Sequence, residues 1–362
     1  MRDLAIHGDD LIVGTHGRSF WILDDITPLR QLTADFAKSE AHLYRPQSAV
    51  RIRWNRNTDT PLPPEVSAGK NPPDGAIIDY YLRSAATEPV TLEIFDAGGK
   101  LARRFSSADE PEAIEEKEVN VAMYWVRPTR IPSAEAGLHR FVWDLRYPSP
   151  DSLVHDFPIA AIFQDTPREP RGPWALPGRY TVKLTVAGKS YTQPLVVKMD
   201  PRVKTTPAGL AQQFELASGI TKGMNETFAA RKQVQSLRAQ LKNLSARAGQ
   251  GEASTAIAAL DKKAEALEGA TLETFYGVPP TGKEPETLSR LNQELGELLE
   301  VIEGRSDAAP TTQAVALYGA QQRALQALLA NWKELGARDV PALNAQLKKA
   351  GLPEITLAPA GR

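Results

Sequence analysis

The 362-residue sequence contains no cysteine. Disulfide bonds, thiolate nucleophiles and cysteine-based metal sites are therefore excluded. The sequence also lacks an apolar run of about 18 residues, the length that a transmembrane helix requires. Met1-Arg2-Asp3 leads into a strand pattern and not into the apolar core of a signal peptide, so we expect no signal peptide at this start.

An excess of either charge is also missing. The chain has 43 basic and 44 acidic residues, a formal net charge of -1. No overall field therefore favours nucleic acid or an anionic membrane surface. Arg51, Arg53 and Arg56 with Trp54 could still contact nucleic acid. We favour an exposed edge strand that charge protects from further pairing, because the arginines alternate along one strand.

Motifs of metal and cofactor sites are absent as well. The five histidines (His7, His16, His42, His139 and His155) do not have metal-ligand spacing, and GxGxxG, P-loop and GxSxG patterns do not occur. An acidic run lacks the Asp/Asn/Gly order of an EF-hand loop, so we interpret it as a solvated insertion; it contains Glu112, Glu115, Glu116 and Glu118. We therefore expect no metal and no cofactor.

What the sequence does contain is a change of hydrophobic period near residue 200. Gly178 to Lys198 alternates apolar and polar residues on both sides of Ala187-Gly188-Lys189, which predicts a β-hairpin. A hairpin alone is marginally stable, so it must close a larger sheet. Six or seven strands over residues 76–200 predict an immunoglobulin-like or fibronectin-like β-sandwich. Within Gly137 to Leu145 we expect Leu138, Val142 and Trp143 to point inward.

Residues 206–352 follow the helical period. Thr206 and Pro207 form an N-cap and first-turn pair, and a first helix of about 40 residues would be roughly 60 Å long. Three further apolar stripes follow, and Pro341 is expected to separate a last short helix. Because each stripe must be buried, the pattern predicts an antiparallel four-helix bundle, with the second and third helices together matching the first.

The first 75 residues are organised differently. Three short β-like runs over residues 1–32 predict one small antiparallel sheet whose apolar faces need another sheet beside them, as the blades of a propeller do. Residues 33–75 are interpreted as a linker with an exposed proline-rich loop from Asn55 to Pro73. The segments Leu43 to Pro46 and Val50 to Trp54 could add strand pairing.

The stretch VGTHGRSFWILDDITPLRQL resembles the last blade of bacterial BNR/sortilin-like β-propeller proteins, which are often labelled glycosyl hydrolase or WD40/YVTN/BNR-like. The residues that carry this resemblance are Thr15, His16, Gly17, Arg18, Trp21, Ile22, Leu23 and Asp24. It continues through DYYLRSAATEPVTLEIFDAGGKLARRF, GLHRFVWDLRYP and PGRYTVKL into the helical tail. The resemblance implies a chain truncated within its last blade, followed by an Ig-like module, and a periplasmic or extracellular location.

Three residues of this stretch are weak candidates for a binding site. His16 beside Arg18 could hold a carboxylate, although a turn between strands explains the same residues. Asp24 with Asp25 could supply half of a glycosidase carboxylate pair. Neighbouring strand residues point to opposite faces, however, so capping of the strand end is favoured.

Three hypotheses about function follow. The first, which we prefer, is a non-catalytic scaffold region of an exported β-propeller protein that binds a protein or, alternatively, a carbohydrate. The second is part of a BNR-type, sialidase-like glycoside hydrolase whose active site lies in the propeller. The third is self-assembly through the unpaired edges of the first sheet.

Overall fold

A computed structural model of the chain describes residues 2–33, 39–54, 63, 65–66, 69, 72–111, 113–158, 160, 163–271, 285–304 and 306–357. The chain divides into two compact units. Unit 1 comprises Met1–Pro148, Phe157–Glu169 and Trp174–Lys204, and unit 2 comprises Ser149–Asp156, Pro170–Pro173 and Thr205–Arg362. The strands lie in unit 1 and the long helices in unit 2, which confirms the predicted order of β followed by α.

Within its described residues, unit 1 is built from strands that pair antiparallel with one parallel exception, together with one short α-helix and two 3-10 turns. Its elements are β1 (Asp3–His7), β2 (Asp10–Gly14), β3 (Phe20–Leu23), α1 (Thr27–Arg30), β4 (Ala41–Leu43), β5 (Ala49–Arg51), β6 (Ala76–Leu82), β7 (Thr91–Phe95), β8 (Leu101–Ser106), β9 (Gly137–Trp143), β10 (Gly178–Val186) and β11 (Lys189–Met199). They form three sheets with the strand orders β1-β2-β3, β5-β11-β10-β7-β8 and β4-β6-β9. The predicted linker therefore supplies one strand to each of the two larger sheets, while most of its proline-rich loop, including Arg56, lies outside the described residues.

The hairpin of β10 and β11 confirms the prediction for Gly178 to Lys198. Val186 pairs with Lys189, which leaves Ala187 and Gly188 as a two-residue turn. Both have positive φ, 47° at Ala187 and 72° at Gly188. Two left-handed residues match the twist of the flanking strands, and glycine adopts this conformation without a steric penalty.

The two larger sheets share one hydrophobic core. Ile78, Leu82 and Trp143 come from the three-stranded sheet, and Leu92 and Val182 come from the five-stranded sheet. All of these side chains are almost completely buried. Apolar faces of two sheets are thus removed from water together, which is the arrangement that stabilises layered β structure.

The inward face of β9 differs from our prediction. Leu138 is exposed and Val142 is only half-buried, whereas Phe141 and Trp143 are buried, so only the prediction for Trp143 is confirmed. Phe141 pairs with Ile78, and Trp143 pairs with Ala76, both of which lie in the core. Because a strand alternates every second residue, these odd-numbered positions point inward together and Leu138 must point outward.

Strand β5 is an edge strand, as expected, but its arginine is not exposed. Arg51 is only 2% exposed, and its Nη1 donates a hydrogen bond to the carbonyl of Ala175 at 2.9 Å. The guanidinium groups of Arg51 and Arg53 lie 5.5 and 5.4 Å from the centre of the Trp174 ring. The predicted exposure of the Arg51 side chain is therefore wrong, because the guanidinium stacks on a buried indole.

Unit 2 contains five helices among its described residues: α2 (Pro207–Ser245), α3 (Glu252–Glu268), α4 (Leu288–Glu303), α5 (Thr312–Glu334) and α6 (Val340–Lys349). The helix α2 is 39 residues long and begins as predicted. Oγ1 of Thr206 accepts a hydrogen bond from the backbone N–H of Gly209 at 3.1 Å. Pro207 follows in the first turn, where a missing N–H is tolerated.

Hydrogen bonds define the directions of the helices. Gln213 donates to the carbonyl of Ile302 at 2.7 Å, and Arg231 donates to Oγ of Ser289 at 2.8 Å, so α4 runs antiparallel to α2. Arg238 reaches both Asp261 and Glu268 near the other end of α2, where α3 packs. The two shorter helices thus cover successive parts of the long one, as predicted.

The helix α5 also packs along α2. Gly219 and Gly223 do not interrupt α2, and each marks a close approach. A Cβ atom at Gly219 would collide with the hydroxyl of Tyr318, and one at Gly223 would lie 3.2 Å from Leu295. These glycines allow neighbouring side chains to sit directly on the backbone of α2.

Pro341 does not separate the last helix from α5. A single π-helical turn over Leu335–Asp339 joins α5 directly to α6. The wider turn fits the missing N–H of a proline within a helical run. Among the helices described here, none has the length and apolar character needed to cross a membrane.

Candidate interaction surface

The sheet of β1, β2 and β3 presents an apolar face whose members follow from the strand register. Leu4 pairs with Val13, which pairs with Trp21, and Ile6 pairs with Leu11, which pairs with Leu23. Residues directly opposite each other in a sheet point to the same side. We call this side the A face; it consists of Leu4, Ile6, Leu11, Val13, Trp21 and Leu23.

The A face is open to solvent. Trp21 is 63% exposed, Ile6 59% and Leu23 49%. Leu11 and Val13, on the central strand, are half-buried. A contiguous apolar patch of this kind is unusual on a protein surface and marks an interaction site.

The opposite face of the same sheet is mixed. It carries Phe20 and Ile22, 78% and 59% exposed, together with Asp3, His7 and Asp10. Asp3 at one end and His7 with Asp10 at the other thus flank its apolar residues. The two faces differ in charge, and the A face is the more uniform surface.

The turn between β2 and β3 holds two of the candidates from the sequence. Oγ1 of Thr15 donates to the carbonyl of Ser19 at 2.8 Å and accepts from the N–H of Arg18 at 3.0 Å. Gly17 has a φ of 82°. Backbone geometry and the Thr15 hydroxyl therefore account for this turn, while the side chains of His16 and Arg18 are exposed.

The third candidate, Asp24, lies beyond the other end of β3. Asp24 is six positions after Arg18, which corresponds to roughly 20 Å along an extended chain. The structure thus does not bring Asp24 together with His16 and Arg18. Its backbone carbonyl accepts a hydrogen bond from Nη1 of Arg140 at 2.6 Å.

Arg140 connects this sheet to the rest of unit 1. Its Nε and Nη2 donate to the two carboxylate oxygens of Asp79 at 3.0 and 3.1 Å. Nη2 also donates to the carbonyl of Asp25 at 2.8 Å. One guanidinium group therefore binds a carboxylate of β6 and the two carbonyls that follow β3. We call Asp79, Arg140 and the Asp24 and Asp25 carbonyls the arginine clamp.

Local hydrogen bonds fix the backbone whose carbonyls accept from Arg140. Asp25 has a φ of 56°, a left-handed conformation that aspartate tolerates better than most residues. Its N–H donates to Oδ1 of Asp10, and its own Oδ1 accepts from the N–H of Thr27, both at 3.0 Å. The N–H of the buried Ile26 donates to the carbonyl of Asp9 at 2.7 Å. The chain thus makes a rigid corner after β3.

The electrostatics of the clamp are those of a buried ion pair. Burial raises the pKa of Asp79, although the hydrogen bond and charge of Arg140 lower it, and the nearby charge of Asp25 raises it further. Burial and the charge of Asp79 also raise the pKa of Tyr44 to about 12. The pairing with Arg140 is what keeps an ionised Asp79 acceptable at this depth.

The Asp25 and Asp79 carboxylates do not form a glycosidase arrangement. Both residues are buried, 2% and 4% exposed. A glycosidase requires its two carboxyl groups to flank a substrate and a water molecule in an open site. The hydrogen bonds made by Arg140 instead bind the carboxylate of Asp79 and the backbone of Asp25, which suits a structural role.

The groove between α2 and α3 and the acidic run do not form a ligand site among the described residues. An open groove of about 890 Å³ lies between α2 and α3, but its Arg238 is paired with Asp261 at 3.1 Å and Glu265 at 3.0 Å. Within the described part of the chain, no three His, Asp or Glu residues are placed to hold a metal ion. Glu115 and Glu116 of the acidic run are exposed, whereas Glu112 lies outside the described residues.

Sequence reasoning missed Asp79 and Arg140, although a signal existed. Each is a charged residue in the middle of an apolar strand pattern, in AIIDYYL and GLHRFVW. The register places them directly opposite each other. Opposite charges at the centres of two apolar strands favour a cross-strand ion pair.

No family matches the chain. Comparisons with family models, with curated proteins and with solved structures all gave no match. The resemblance to BNR/sortilin-like propeller proteins therefore stays a prediction.

Proposed function

We propose that this chain is a non-catalytic scaffold region that uses the A face of the β1-β2-β3 sheet to bind a protein. The observation that carries this proposal is the continuous apolar side of that sheet, formed by six residues without a charged group among them. Burying such a surface is favourable at about 25 cal/mol per Å², so a protein partner gains free energy by covering it. A hydrophilic small molecule covers little of this apolar area and therefore gains little free energy by binding there.

The arginine clamp supports the same proposal. Arg140 holds the residues after β3 against β6, and the Ile26 N–H holds the β1-β2 turn. The end of the β1-β2-β3 sheet is therefore held in place against β6 before a partner binds. Preorganisation reduces the entropy that binding would otherwise lose.

The wider context of the proposal comes from the resemblance. On this proposal the β1-β2-β3 sheet is the remnant of a propeller blade, the two larger sheets of unit 1 form an Ig-like sandwich, and the helices of unit 2 form a four-helix bundle. The region would belong to an exported β-propeller protein of the periplasm or the extracellular space. Two sheets with a common core and the packing of α3, α4 and α5 on α2 support the layered parts of this interpretation.

Protein binding can be tested with a double substitution on the A face. Ile6→Ser combined with Trp21→Ser removes two exposed apolar groups without touching the clamp. Leu317→Ser is the matched control, because Leu317 is 50% exposed on α5. We expect the immobilised wild-type chain and the immobilised Leu317→Ser control to retain the same binding partner, either another copy of this chain or another protein. The immobilised double variant should not retain that partner.

Equal retention by all three proteins would contradict the proposal. The same preparations should be assayed with fluorogenic aryl glycosides, and we expect no hydrolysis. Reproducible hydrolysis of these glycosides would instead favour a glycoside hydrolase.

A further inference from the structure

We propose that the partner on the A face is a second copy of this chain, so that two β1-β2-β3 sheets pack face to face. This inference rests on the proposed function, in which the A face is a protein-binding surface. It adds the identity of the partner and the symmetry of the complex.

The charge distribution favours a second copy. None of the six A-face side chains is charged, whereas the opposite side of the sheet carries Asp3, His7 and Asp10. When a surface meets its own copy about a twofold axis, a charge near the axis meets a like charge, and a charge elsewhere needs an opposite charge on the same face. An uncharged face avoids this repulsion, and a partner of opposite charge has nothing to recognise there.

The size of the face agrees with a reversible dimer. Trp21, 63% exposed, contributes on the order of 130 Å² of the 150–250 Å² of an aromatic side chain. The five aliphatic residues raise the total to roughly 400–500 Å² per copy, since Leu4, Ile6 and Leu23 are about half exposed while Leu11 and Val13 on the central strand are half-buried. Two copies thus bury about 800–1,000 Å², and contacts at the rim bring this near the lower limit of specific interfaces. We expect a dissociation constant in the micromolar range.

Packing of faces explains more of the surface than pairing of edges. β1 and β3 are the outer strands of the sheet, so edge pairing with another copy is geometrically open. Edge pairing would leave all six A-face side chains in water. Two sheets stacked about 10 Å apart bury them, and the isologous contact closes at two copies instead of growing into a filament.

Sedimentation equilibrium over protein concentrations from about 1 to about 200 μM tests the dimer. Trp21→Ser should raise the dissociation constant at least about tenfold, because Trp21 is the most exposed residue of the A face and tryptophan is a frequent source of interface energy. Leu4→Lys should raise the dissociation constant by a similar factor, since each copy would then bring a lysine charge to the interface across the twofold axis. Ile22→Ser is the control: Ile22 is 59% exposed but on the opposite side of the sheet, so a change below about threefold is expected.

Hydrogen exchange of the β2 amides verifies that each variant keeps the sheet folded. A strict monomer at the highest concentration, with β2 protected, would overturn the dimer. A dimer that responds to Ile22→Ser but not to Trp21→Ser or Leu4→Lys would overturn it as well. If the monomeric chain still retains a different protein through the A face, the proposed function stands and only the second copy is refuted.

Discussion

The arginine clamp predicts a large loss of stability when Arg140 is truncated. Arg140→Ala removes both donors to the Asp79 carboxylate and both hydrogen bonds to the Asp24 and Asp25 carbonyls. Asp79 then remains as a buried carboxylate, 4% exposed, without its cationic partner.

The magnitude follows from that burial. Removing one partner of a fully buried ion pair typically destabilises a protein by about 3–5 kcal/mol. The Arg140 side chain is 31% exposed, so water entering the vacated space recovers part of this. We expect the free energy of unfolding to fall by about 2–3 kcal/mol near neutral pH.

Urea unfolding followed by tryptophan fluorescence measures this change, because five of the six tryptophans lie in unit 1 and only Trp332 lies in unit 2. Arg104→Ala is the matched control. Arg104 is a strand arginine whose ion pair with Asp109 spans 3.7 Å and whose side chain is 48% exposed. Its removal should change the free energy of unfolding by less than about 0.5 kcal/mol.

The pH dependence provides a second check. Burial already raises the pKa of Asp79 above its usual value, and loss of Arg140 raises it further. A raised folded-state pKa means that the ionised carboxylate opposes folding above the unfolded-state pKa. The penalty of Arg140→Ala should therefore be largest near neutral pH and should shrink as the pH falls to about 4.

Two results would refute this reasoning. Arg140→Ala with the stability of wild type would mean that the clamp is not needed. The combination Asp79→Asn with Arg140→Ala should be more stable than Arg140→Ala alone at neutral pH, because it removes the unpaired charge of Asp79. If the double variant is less stable, the unpaired Asp79 is not the cause.

Three further predictions concern unit 2. Thr206→Ala should lower the free energy of unfolding by about 1 kcal/mol in urea titrations, because it removes the cap on the Gly209 N–H, and Thr206→Ser should retain it; an equal loss in both would contradict capping. Leu295→Ala should cost about 2–4 kcal/mol, since Leu295 is 1% exposed in the helical core; a loss below about 1 kcal/mol in calorimetry would exclude tight packing there. Lys263→Met should raise the pKa of Asp339, because the 3.0 Å hydrogen bond from Lys263 lowers that pKa in the wild-type chain. The stability that ionised Asp339 supplies above its unfolded-state pKa should then be reduced. An unchanged titration of the Asp339 carboxyl group in NMR spectra would contradict this.

Local sequence patterns predicted most secondary structure because the forces involved are local. Ala187 and Gly188 suit a two-residue turn, and Thr206 with Pro207 suits a helix start, whatever surrounds them. The same reasoning failed at Leu138, because two alternating faces of β9 were both partly apolar and only pairing with β6 decided between them. It also failed at Pro341, where local chemistry indicated a break and packing preserved a helix through a π turn.

By itself, the sequence determined the order of β and α regions, the lack of thiol chemistry and the apolar character of the first three strands, since all of these depend on residue type and period. Only the tertiary structure decided that Arg51 stacks on Trp174, that Asp79 pairs with Arg140, and that the A face remains uncovered. Burial and pairing depend on which distant segments meet. A residue's neighbours along the chain do not specify that, so the candidate site could be recognised only after the sheets were in place.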